Sequence, residues 1–101
     1  MAISCSSEKP PEMVMGEEEM INYLIDLHLA EASIQNIRLQ SDSAKIVFAA
    51  KEKFLFKTHN ITDSIFVLSY NYYLQRPIKL EEIYGAVIDS ISLRQSLLKE
   101  E

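Results

Sequence analysis

The chain has 101 residues, of which 48% are hydrophobic, 9% aromatic and 25% charged, the composition of one globular domain with a single core. Ten Lys and Arg against fifteen Asp and Glu give a formal net charge of -5, opposite in sign to a phosphate-binding surface, so nucleic acid and anionic membrane surfaces are poor direct partners. Two glycines and three prolines supply too little turn chemistry for a β-sandwich or barrel, and no apolar run approaches the ~18 residues that span a bilayer.

Residues 1–15 carry a Ser pair, a Pro pair and no hydrophobic period, and read as a flexible leader; residues 16–101 read as the folded domain. Gly16 precedes Glu17, Glu18 and Glu19, acids suited to the positive end of a helix, with Glu19 at the N3 position of a capping box. Met15 and Met20 have the spacing of a hydrophobic staple. The spacing predicts a helix over 17–36 whose stripe holds Met20, Leu24, Leu27, Glu31 and Ile34, with Asp26 well away from it.

Ser41, Asp42 and Ser43 are alternative caps for a second helix that runs to about Thr58, followed by Asn60 as a left-handed residue beyond its end. Phe48, Phe54 and Phe56 on this helix cannot all face inward from one side, so one of them is expected to be partly exposed. Thr62 caps a third helix, with Ile61 and Phe66 as a second staple, and Pro77 ends it and opens a fourth. The stripe of the fourth reads Leu80, Ile83, Tyr84, Val87, Ile88, Ile91 and Leu98. Links of a few residues predict sequential neighbours packed roughly antiparallel, hence a compact all-α bundle of four helices.

Helix 3 is apolar nearly all round, which places it centrally between its neighbours or leaves a binding surface centred on Tyr70, Tyr72 and Tyr73. His28 and Glu31 stand one helical turn apart. With Asp26 they suggest metal ligands or an acid/base pair, but one helix face offers two ligands where a catalytic zinc takes three. The bland alternative is a buried polar network in which Glu31 joins His28 and a tyrosine such as Tyr84, because a carboxylate on an apolar stripe requires a partner. No nucleophile elbow, phosphate loop or second metal-spaced histidine is present, so the chain reads as noncatalytic, with no metal or other cofactor.

Cys5 is the lone cysteine, which excludes an intramolecular disulfide. Ala2-Ile3-Ser4-Cys5 is similar to the end of a bacterial lipoprotein signal, although the residues before Cys5 lack the basic and apolar stretches of such a signal, so locally an acylated cysteine and a free thiol stay open. Asp26-Leu27-His28-Leu29-Ala30-Glu31-Ala32 in helix 1, the turn Lys57 to Thr62, then Phe66, Ser69, Tyr72, Tyr73, Pro77, Leu80, Ile83, Tyr84, Val87 and Ile88 follow in characteristic order and spacing. Over most of residues 13–92 this pattern resembles a family of small envelope lipoproteins of unknown function from Bacteroidetes. It departs by one extra residue, with Asn60 where that family usually has glycine, and by a short link between helices 1 and 2.

The resemblance implies lipidation of Cys5, periplasmic exposure from the outer membrane, and an accessory role toward an unknown envelope protein. Two alternatives remain at this level: a metal-dependent hydrolase built on His28 and Glu31, and a cytosolic helical adaptor or small-ligand carrier in which Cys5 is a free thiol.

Overall fold

The computed structural model describes residues 10–37 and 41–99, and the Cys5 expectation lies outside them. Four helices follow one another: α1 (Glu17–Ile37), α2 (Ser41–Thr58), α3 (Asp63–Leu74) and α4 (Pro77–Lys99). Together they form an all-α bundle.

The helix ends follow local chemistry. At the start of α1 the Gly16 amide donates to the Glu19 carboxylate at 2.9 Å, the back half of a capping box. At the end of α2, Asn60 takes φ 57 while the Ile61 amide donates to the Phe56 carbonyl and the Asn60 amide to that of Lys57, the paired bonds of a Schellman stop. Thr62 then restarts the helix, its hydroxyl accepting from the Ile65 amide at 3.1 Å.

Sequential antiparallel packing holds for α1 with α2 and for α3 with α4. It does not extend to α2 and α3. Phe56 and His59 of α2 and its exit turn meet Tyr23 and Asp26 in the middle of α1, whereas Ala44 and Phe48 lie by Glu31 and Ile34 near its end. Phe66 of α3 also meets Tyr23, while Ser69 and Tyr73 reach back to Met15. Thus α2 covers the C-terminal half of α1 and α3 covers the N-terminal half, both running against it. The left-handed residue and immediate cap between them redirect the chain without reversing it. α4 runs with α1, since Lys79 meets Glu17 at the first turns and Tyr84 meets His28 farther along.

The core collects Met20, Tyr23 and Leu24 of α1, Leu55 of α2, Tyr73 of α3, and Ile83 and Val87 of α4. Val14 and Met15 are buried with them, so the packed domain begins inside the stretch that composition assigns to a leader. The reason is polar as well as apolar: the fully buried Ser69 hydroxyl accepts from the Met15 amide at 2.8 Å, and Tyr73 donates to the Met15 carbonyl at 2.7 Å. Both backbone groups of Met15 are thereby satisfied in the interior.

Candidate functional site

The polar side chains singled out on α1 come together, but at the rim of the core and not inside it. His28 Nδ1 and Glu31 Oε1 are 2.9 Å apart, with the side chains 37% and 44% exposed. At the edge of the stripe Glu31 keeps access to water, which spares the cost of a buried charge. Tyr84 touches the pair through its ring, 6.1 Å from that of His28, while its hydroxyl bonds to Tyr70 at 3.1 Å and not to Glu31. The predicted buried network is therefore two adjacent pairs in half-exposed positions. Burial pushes the Tyr84 hydroxyl up to about 12, with the Tyr70 hydrogen bond and then the Tyr70 and Glu31 charges acting in the same direction.

A second pair has no local signature. His59 Nε2 lies 2.8 Å from Asp26 Oδ2 across 33 positions of sequence, and the His59 ring meets Tyr23 edge-on at 5.3 Å. Asp26 points away from the main stripe of α1 because α2 occupies that other side. Only the topology brings a loop histidine to a helix carboxylate, so no spacing rule could have paired them. Among the described residues no group of three or more His, Cys, Asp and Glu side chains could hold a metal ion. His28 and Glu31 have each other as partners, and His59 is engaged elsewhere.

The three tyrosines expected to form one surface separate. Tyr73 is buried, its ring edge-on to Tyr72 and its hydroxyl on Met15. Tyr70 turns toward Tyr84, and Tyr72 lies under the Arg76 guanidinium, whose carbon is 3.7 Å from the ring centroid. Between the half-buried Tyr70 and Tyr72, on the side of α3 away from the core, Val67, Leu68 and Leu74 are each about half exposed. α3 is accordingly not enclosed on all sides. Its even apolar distribution concealed which side packs inward. Of the three phenylalanines on α2, Phe54 is the exposed one.

A cleft of about 690 Å³ separates α1 from α2, walled by Leu29, Val47, Phe54 and Leu55, with Asp26 and Lys51 among its polar positions. It contains no paired nucleophile and base. The chemistry these arrangements offer is apolar contact bordered by charge, with the hydrogen-bonding groups mostly committed to holding helices together.

No curated protein and no solved structure matches the chain. A family model described as Domain of unknown function (DUF4296) matches residues 11–96. That span covers the packed end of the leader and nearly all of the four helices, and the chain belongs to the DUF4296 family.

Proposed function

We propose that this chain is a noncatalytic, lipid-anchored domain of the cell envelope that binds a protein partner through the outward face of α3. The observation that carries this reading is the incomplete cover of an almost wholly apolar helix: Val67, Leu68 and Leu74 remain in contact with solvent between Tyr70 and Tyr72. Apolar side chains gathered on one helix face, with aromatic rings at its margins, suit a protein interface better than a solvated surface.

The anchor rests on the sequence resemblance, which makes Cys5 the acylated residue and the outer membrane the site of attachment. Two acyl chains would supply the membrane affinity, a single chain being marginal. The noncatalytic reading is supported by the use of the titratable pairs His28 with Glu31 and His59 with Asp26 as links on and between elements.

Intact-mass and N-terminal peptide spectrometry on the protein from its own cells tests the anchor: a mature chain starting at a diacylglyceryl Cys5 is expected, and an unmodified chain retaining Met1 or Ala2 overturns it. A photo-crosslinking side chain at Leu68 tests the face. One recurrent protein adduct that disappears with Val67→Asp is expected, and the absence of an adduct at Leu68 removes the α3 face from the proposal.

A further inference from the structure

The net charge of the chain averages over two helices of opposite character. α1 carries Glu17, Glu18, Glu19, Asp26 and Glu31 and no Lys or Arg, whereas α2 carries Lys45, Lys51, Lys53 and Lys57 against Asp42 and Glu52. Ionic screening confines a surface to the charges within about 10 Å of it. The outward side of α2 is therefore felt as cationic, although the chain as a whole is acidic.

The same side is apolar where a solvated helix would be polar. Ile46, Ala50 and Phe54 follow at four-residue spacing along the exposed outer lip of the cleft between α1 and α2, with Ile46 71% and Phe54 67% exposed. Helical spacing places Lys53 and Lys57 beside this stripe. Lys51 lines the same cleft as the stripe, whereas Lys45 lies in the groove on the other side of α2. Glu52 shares that second groove with Lys45, and Asp26 of α1 lines the cleft beside the stripe, so the outward side carries Lys53 and Lys57 against Asp42 in the first turn.

We infer that α2 docks side-on to an anionic lipid bilayer, with Ile46 and Phe54 entering the boundary between headgroups and acyl chains and Lys53 and Lys57, with Lys51 beside them, meeting lipid phosphates. The pattern is that of an interfacial amphipathic helix, an apolar stripe with lysines on both margins whose long stems let their charges reach the headgroups. Lysine presents a point charge without the fixed fork of arginine, which suits fluid headgroups more than the set geometry of a folded acidic partner. A second copy of the chain is disfavoured, because pairing this stripe with itself would oppose lysine to lysine. The inference goes beyond the anchor and the α3 face, and does not depend on acylation.

The full chain carrying Cys5→Ser cannot be acylated there, so its sedimentation with vesicles reads the folded domain without the anchor, and the α2 variants assign it to α2. It is expected to sediment with phosphatidylcholine vesicles containing phosphatidylglycerol, to stay in solution with phosphatidylcholine alone, and to be released by high salt. Lys53→Gln with Lys57→Gln should weaken partitioning roughly twenty-five-fold, at roughly fivefold for each lysine near the surface. Phe54→Ser, a separate variant, should weaken it too, with the helical circular dichroism of both variants unchanged because the altered side chains are exposed. Failure to sediment with anionic vesicles overturns the inference and leaves an acidic protein surface as the occupant. Equal sedimentation with neutral vesicles, or indifference to both variants, overturns it as well. A diacylated Cys5 in cells combined with no binding by the Cys5→Ser chain would retain the anchor and discard α2 docking; the reverse pair of results would do the opposite.

Discussion

His59 Nε2 and Asp26 Oδ2 meet at 2.8 Å, which holds the turn between α2 and α3 against the middle of α1. The contact fixes where cover of α1 passes from one helix to the next. His59→Ala removes the hydrogen bond and the edge contact with Tyr23. The expected loss is about 1 kcal/mol, less than a fully buried charge-assisted bond because Asp26 is partly solvated. Urea unfolding of His59→Ala, Asp26→Asn and the double variant checks this. The two losses should be less than additive, and strict additivity would show that the residues stabilise the fold independently.

Ser69 has a comparable role at the N-terminal end of α1. Its hydroxyl accepts from the Met15 amide and donates to the Ile65 carbonyl at 2.7 Å, with the residue fully buried. Ser69→Ala leaves the Met15 amide without that acceptor in the interior, which costs about 1–3 kcal/mol. The damage should be local before it is global. Amide exchange at Val14 and Met15 is expected to accelerate more than exchange in the centre of α4, and uniform acceleration would contradict the assignment.

Alkaline pH should weaken the fold through three tyrosines, Tyr23, Tyr73 and Tyr84, whose hydroxyl pKa burial raises, furthest in Tyr23. Burial pushes the Tyr73 hydroxyl up to about 12, with the charges of Glu17, Tyr72 and Glu19 adding and Lys79 opposing, and Tyr84 is raised to about 12 as well. An unfolded tyrosine releases its proton near pH 10, so above that pH the unfolded chain holds fewer protons than the folded one. Stability from these groups is complete below about pH 10 and is lost as pH rises toward about 12. Urea midpoints at about pH 9 and about pH 11 should separate, and Tyr73→Phe should narrow the gap. An unchanged gap in that variant would exclude Tyr73 as a contributor.

The elements were legible wherever one residue has one local task. Thr62 could be read as a cap, Asn60 as a left-handed stop and Pro77 as a helix opener because each depends on backbone chemistry within a few residues. Tyr70, Tyr72 and Tyr73 were not separable, since a helix apolar on every side carries no signal for which tyrosine faces the core. Met15 was legible as a staple but not as a strap held by Ser69 and Tyr73, more than fifty residues away. The pairing of Asp26 with His59 requires α2 and α3 to follow one another along α1. That arrangement depends on the whole packing and not on a motif.

Tyr23 shows a cost accepted by the core. Its ring is stacked on Phe56 at 5.8 Å and tilted against Phe66 at 4.9 Å, but its buried hydroxyl has no hydrogen-bond partner among the described residues. Burial raises the pKa of this hydroxyl, with the charges of Glu52 and Asp63 contributing in the same sense. Tyr23→Phe retains the ring contacts and deletes the unpaired group. The fold should gain up to about 1 kcal/mol, read as a higher urea midpoint at neutral pH. A loss above about 1 kcal/mol would mean that the hydroxyl has an internal partner, a bridging water included.

Gly85 occupies an exposed position in the interior of α4, and a Cβ built there meets nothing within 4 Å. Its backbone has no left-handed φ, so glycine is not required by the local conformation. Gly85→Ala should therefore raise stability by about 0.5–1 kcal/mol, because alanine loses less backbone entropy in a helix. Thermal unfolding of the isolated protein checks the sign. A gain in stability accompanied by loss of a crosslinked protein adduct would show that close approach of another backbone, and not the fold, favours glycine at this position. A fall in stability of the isolated chain would instead show that α4 packs against a surface through Gly85 in the monomer itself.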